Sequence, residues 1–239
     1  MRKQGEDPLY LECERWRVFA VLMVAAGFLG AFTYTLRGGV FCNAQTGNFL
    51  LMAIELANGN LRRAAYYLIP IAAYFLGAVV SELMPLGLHR VGRIRWDTLL
   101  VGIETAVLVL LGFLPESAPY PLSQVTITFL CSMQYNTFRQ ARGVPMATTF
   151  CTNNLRQTAI HLVRWLRKKD SDSRYRHFSY LGILLMFVLG AAVGTVLCRY
   201  FAGRAVWGAA LLLLLLFADL LHADLVREKH LLDRKPRGH

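Results

Sequence analysis

Gly38-Gly39-Val40-Phe41-Cys42-Asn43-Ala44-Gln45-Thr46-Gly47-Asn48-Phe49-Leu50-Leu51-Met52-Ala53 is the stretch on which the fold turns. It lies between strongly apolar runs, yet it opens on paired glycines and carries a polar core. Glycine opposes regular helix, so the entry is expected to be extended. Thr46 and Asn48 are of the type whose side-chain oxygens accept the first free N–H groups of a helix, so a helix is expected to start there. Asn58-Gly59-Asn60 is a helix stop. The predicted helix of about twelve residues, at about 1.5 Å per residue, covers only half of a bilayer core.

A second stretch has the same grammar. Arg142-Gly143-Val144-Pro145-Met146-Ala147-Thr148-Thr149-Phe150-Cys151-Thr152-Asn153-Asn154 precedes a helical run through Leu162. Pro145 favours an extended residue before it, and Thr152-Asn153-Asn154 is the expected cap.

Around these two stretches lie six apolar runs, at about 18–36, 64–86, 97–114, 119–138, 178–199 and 205–222. About 18 apolar residues suffice to cross a bilayer as a helix. Hydrophobic residues make up 55% of the 239, above the roughly 45–50% of a soluble domain. The expected class is all-α: a polytopic transmembrane helix bundle with six full spans and two short or re-entrant helices. The first run follows Glu6, Asp7, Glu12 and Glu14 and reads as a retained span, not a cleaved leader.

The chain also reads as duplicated. Thr35-Leu36-Arg37 aligns with Thr137-Phe138-Arg139, Gly39-Val40 with Gly143-Val144, and Thr46-Gly47-Asn48 with Thr152-Asn153-Asn154. Phe75 to Val80 aligns with Val188 to Val193, around Gly77-Ala78 and Gly190-Ala191. The halves are about 16–114 and 119–222, within a single membrane domain; 223–239 is a cytoplasmic tail, polar and loose from Arg227 to His239.

The net charge is +11. Lys and Arg fall between the apolar runs, as cytoplasmic loops require, and no nucleic-acid reader motif accompanies them. With re-entrant short helices, 20 basic residues face the cytoplasm and 5 face out, Arg156 standing apart. With spanning short helices the split is 17 to 8, so the re-entrant arrangement is preferred and both termini are cytoplasmic. Five cysteines without a CxxC spacing suggest neither a disulfide frame nor a zinc site.

Irregular backbone at membrane depth survives only where protein or a watery cavity covers it, and paired broken helices point to a central polar site. Helix N-termini suit anions and solute oxygen atoms. The candidate substrate-binding residues are Asn43, Gln45, Thr46, Asn48, Thr148, Thr149, Thr152, Asn153 and Asn154. Glu104 and Arg156, ionisable at membrane depth, are candidates for a mutual pair. Gln134 and Asn136 are candidates for an inner mouth.

Gly38-Gly39-Val40-Phe41 with Thr46-Gly47-Asn48, then Gln134 and Asn136 with Arg142-Gly143-Val144-Pro145 and Thr148-Thr149, resembles the YoaK-like membrane proteins over nearly the whole chain. This is a bacterial family of unknown function (DUF1275, also called UPF0700). The resemblance implies a bacterial inner-membrane address. The second motif here has Cys151-Thr152-Asn153 where the family has Thr-Gly.

The expected function is a small transporter or channel for a small anion or polar solute. Its only expected partners are the bilayer and that solute, with no nucleic acid and no cofactor. The alternative is a non-transporting scaffold. A membrane enzyme ranks last, because HExxH and GxSxG motifs are missing from the sequence.

Overall fold

The computed structural model describes residues 10–87 and 90–236. Arg2, Lys3 and Arg237, counted above among the cytoplasmic basic residues, lie outside them. The fold is all-helical: α1 (Trp16–Leu36), α2 (Gln45–Ala57), α3 (Leu61–Gly87), α4 (Trp96–Leu111), α5 (Tyr120–Thr137), α6 (Thr152–Lys168), α7 (Ser171–Phe201) and α8 (Val206–His222). Two minimal antiparallel hairpins interrupt the helices. β1 (Arg90–Val91) pairs with β2 (Ile94–Arg95), and β3 (Gln140–Ala141) pairs with β4 (Val144–Pro145). Gly92 and Gly143 take positive φ at their turns, which only glycine adopts without strain.

Among the described residues, three helical stretches are long and apolar enough to cross a membrane: Trp16–Leu36, Leu61–Met84 and the continuous run Ser171–Arg227. The other expected spans fall short for identifiable reasons. Helix α4 has 16 residues, and α5 carries a buried row of Ser, Thr and Gln. Large apolar side chains face outward from α3, α4, α7 and α8, among them Phe75, Leu110, Val188 and Leu215. Exposed apolar side chains in this number suit a membrane-embedded protein.

Helix α1 is the hub. It packs on α7 and α8, while α3 packs on α5, α4 on α8, α2 on α3 and α6 on α7. Backbones touch where glycines allow it. A Cβ added at Gly190 would lie 2.0 Å from the Val24 carbonyl oxygen of α1, and one at Gly77 would lie 2.5 Å from the Phe129 carbonyl oxygen of α5. Small residues at such crossings let apolar helices approach closely.

One end of the bundle is basic. There the Arg95 guanidinium, buried, donates to Asp224 at 2.9 Å, Glu228 at 2.8 Å and the Leu231 carbonyl at 2.9 Å. The Glu12 N–H donates to Glu228 at 2.8 Å, and the Arg142 N–H to the Glu14 carbonyl at 2.8 Å. This clamp, with Arg227 donating 3.1 Å to Glu12, corrects the expectation of a loose tail for Arg227, Glu228 and Leu231. Helix α8 runs on through a π-helical turn, Ala223–Arg227, because Asp224 and Glu228 are held in place by Arg95. At the opposite end Arg37 donates to Glu116 at 3.2 Å, the Gly203 N–H donates to Glu116 at 2.5 Å, and Gln124 donates to Tyr66 and to the Arg37 carbonyl.

The two short helices return to the end from which their entries leave. Gly38 and the Gly59–Arg63 turn line one cavity of about 1020 Å³ at the Arg37 end. Between them the chain dips far enough for the Asn43 side chain to donate 3.1 Å to the Ala26 carbonyl, halfway along α1. From the basic end, the chain passes from hairpin β3–β4 inward to Thr149, beside Tyr74 in the middle of α3, and comes back along α6 to Ser171.

Candidate functional site

Each short helix begins at a tip locked by one asparagine. The Asn48 side chain accepts from the Phe41 N–H at 3.0 Å and donates to the Phe41 carbonyl at 2.7 Å. The Asn154 side chain accepts from the Ala147 N–H at 3.2 Å and donates to the Ala147 carbonyl at 2.9 Å. In both cases a buried amide pairs with the two backbone groups of a residue seven positions earlier, as a neighbouring β-strand would. This satisfies the extended entry internally, which a bilayer demands.

That geometry corrects the capping expectation. The N-cap residues are Ala44 and Cys151, and neither makes a side-chain cap. Thr46 and Thr152 are exposed. Asn153 accepts 3.1 Å from Arg156, so Asn154 is the counterpart of Asn48 and Asn153 is not. Gln45 completes the first tip: its Oε1 accepts from Asn48 at 2.8 Å and its Nε2 donates to the Cys42 carbonyl at 3.3 Å.

The tips converge on α5. The Cys42 and Cys131 sulfur atoms are 3.9 Å apart. Tyr74 of α3 lies within electrostatic range of both thiols and of Tyr135. Thr148 and Thr149 are fully buried; Thr149 lies against the Tyr74 hydroxyl, and the Thr148 hydroxyl has no hydrogen-bond partner among the described residues. Along α5, Gln124, Thr128, Cys131 and Tyr135 recur at i, i+4, i+7 and i+11, which places them on one face of the helix. Gln124 Oε1 and Thr128 Oγ1 are buried and unpaired, as is the amide nitrogen of Gln134.

Glu104 of α4 is 2% exposed, and neither carboxyl oxygen meets a hydrogen-bond donor among the described residues. The Glu104–Arg156 pair expected from sequence does not form. Arg156 lies exposed on α6, where it helps line a cavity of about 600 Å³ with Gln157, His161, Arg164 and Arg176 at the basic end. Asn136 is also committed elsewhere, donating 3.0 Å to Glu82 and accepting 2.9 Å from Arg139.

The structure thus brings together Asn43, Gln45 and Asn48 on one tip, and Thr148, Thr149 and Asn154 on the other. It leaves Thr46, Thr152, Asn153, Arg156 and Asn136 at other places. Sequence reasoning missed Tyr74, Thr128, Cys42 and Cys131. The helical spacing of polar residues along α5 was the signal for Thr128 and Cys131; nothing local marks Tyr74.

A family model described as a protein of unknown function, DUF1275, matches residues 18–218. The chain belongs to DUF1275. That match takes in both tips, the α5 stripe and Glu104 of this DUF1275 chain. No curated protein and no solved structure matches it.

Proposed function

We propose that this DUF1275 chain is a small transporter or channel for a small polar solute, and that its site lies between the two asparagine-locked tips and the polar face of α5. The observation that carries this is a set of buried atoms with no hydrogen-bond partner among the described residues, at the second tip, on α5 and on α4: the hydroxyls of Thr148 and Thr128 and the carboxyl of Glu104. Buried polar groups are ordinarily hydrogen-bonded. A layer of donors and acceptors without partners, deep in an apolar bundle, is a place for a solute to supply them. An uncharged solute fits better than an anion, because Arg156 points away and Glu104 stands uncompensated.

The architecture that goes with this function is six spans in two inverted halves. Its support is the pairing of elements. The contact of α1 with α7 has its mirror in α5 with α3, and that of α2 with α3 in α6 with α7, while α4 and α8 pack on each other. Gly190 and Gly77 sit at equivalent crossings. The two tips enter from opposite ends, as inverted repeats require. The basic end then faces the cytoplasm of a bacterial inner membrane.

The test is solute flux. Purified protein in vesicles is compared with empty vesicles for osmotic swelling in glycerol and urea and for uptake of formate and nitrate. Swelling in at least one neutral solute is expected, with about a tenfold loss on Thr149→Val at unchanged monodispersity; a lost hydrogen bond of roughly 1.4 kcal/mol corresponds to that factor. Equal rates with and without protein for every probe would refute transport and leave a scaffold.

A further inference from the structure

The carboxyl of Glu104 is buried, and neither of its oxygens has a hydrogen-bond partner among the described residues. Helix α4 supplies no second titratable side chain between Thr98 and Leu111, and α8, packed along it, supplies none between Val206 and Ala218. Of the titratable groups of α5, Cys131 is within electrostatic range of Glu104, Tyr135 lies beyond it, and Tyr120 is at the Arg37 end. Past Cys131 come Cys42 of the first tip and Tyr74 of α3. All of these are weak acids, and none offers a positive charge. A carboxylate held there, out of reach of water and of any donor, is far more costly than the neutral acid. The neutral acid needs no counter-charge.

A purely structural role explains this poorly. An apolar residue of the same size would pack in that place without the penalty. The polar face of α5 also gives the carboxyl a route to water. Gln124 lies at the Arg37 end, Tyr135 near the basic end, and Thr128 and Cys131 between them, with acceptor atoms free on Gln124 and Thr128. Water entering beside a displaced tip would reach Glu104 along that face.

We propose that Glu104 holds a proton in the closed bundle and exchanges it with water when the tips separate, so that solute passage is coupled to a proton. This rests on the transport reading for its purpose but not for its chemistry. In the exchange the carboxyl O–H bond breaks, the electron pair stays on the carboxylate, and the proton goes to a water molecule as hydronium. Closure requires the reverse step. Coupling follows because the tips cannot close over a bare carboxylate.

The experiment is infrared spectroscopy of the full chain in lipid nanodiscs, read in the carbonyl region of protonated carboxyl groups. Four proteins are compared: wild type, Glu104→Gln, Glu104→Asp, and Asp97→Asn as a control for the other buried carboxyl of α4. At neutral pH the wild type should show a protonated-carboxyl band that Glu104→Gln lacks, Glu104→Asp shifts and Asp97→Asn keeps. The band should move on transfer to D2O. Should Glu104→Gln fail to assemble, the shift in Glu104→Asp assigns the band. No protonated band assignable to Glu104 would overturn the proposal, and so would one that stays unmoved in D2O over hours. Solute flux measured in parallel keeps the two readings apart. An exchanging band without flux removes transport and leaves the proton site, whereas flux without the band removes the proton site alone.

Discussion

Replacing Asn48 with alanine removes the bonds that close the first tip. Three go at once: the Phe41 N–H to Oδ1 at 3.0 Å, Nδ2 to the Phe41 carbonyl at 2.7 Å, and Nδ2 to Gln45 at 2.8 Å. Asn48 is fully buried, so water does not replace it without opening the tip. The Phe41 N–H is left without its partner, whereas the Phe41 carbonyl keeps the Gln45 amide at 3.4 Å; one stranded buried group costs about 1–3 kcal/mol. For a domain of 150–250 residues, 1 kcal/mol moves the melting temperature by about 2–4 °C, so a fall of about 2–12 °C is expected. Thermal unfolding followed by size-exclusion chromatography in detergent reads it. Asn154→Ala should fall comparably, through the Ala147 N–H and carbonyl. Asn153→Ala, one residue away, should stay within about 0.5 kcal/mol of wild type, as surface substitutions do. If Asn48→Ala and Asn153→Ala melt together, the tips are not held by these amides and the account of them is wrong.

Gly190→Ala should destabilise by about 1–3 kcal/mol or more, because its Cβ would lie 2.0 Å from the Val24 carbonyl of α1, where backbone has to move; a melting point equal to wild type would show that α1 and α7 do not cross there. Arg95→Met should cost about 3–5 kcal/mol, since it leaves Asp224 and Glu228 buried without their cation, and Asp224→Asn in the same background should recover part of it. Acid should loosen the Arg37 end. Against the cost of its partial burial, the Gly203 N–H and the Arg37 guanidinium hold the Glu116 carboxyl below its usual value. A depressed carboxyl contributes stability above its unfolded value of about 4.3 and loses it as pH falls through the lower folded one. The melting temperature of wild type should therefore fall toward that of Glu116→Gln only below the ordinary carboxylate range, and a gap that closes at neutral pH would contradict it.

Much of this molecule is legible in one dimension because the bilayer imposes period and length on helices. Apolar runs mark α1, α3, α7 and α8, and Gly38-Gly39 and Asn58-Gly59-Asn60 bracket α2. The repeat, aligned at Asn48 and Asn154, matches two side chains that make the same pair of bonds. The errors have one source. Thr46, Thr152 and Asn153 were read from local capping rules, and those rules do not register that an asparagine can pair with backbone seven residues away when the chain doubles back. The tail from Arg227 reads as loose from polarity alone, which is silent about Arg95 in a distant hairpin.

The order of elements, the helical class, the broken character of two segments and the charge at each end follow from residue type and spacing, because they depend on neighbours a few positions apart. Which polar groups meet, and which go without a partner, was settled only by packing. Glu104 is not paired with Arg156 because Arg156, on a helix that turns back to its own end, points outward. Cys42 and Cys131, 89 positions apart, come within 3.9 Å because the first tip descends onto α5. Contacts between distant segments depend on how helices cross, and close approach at Gly77 and Gly190 sets those crossings here.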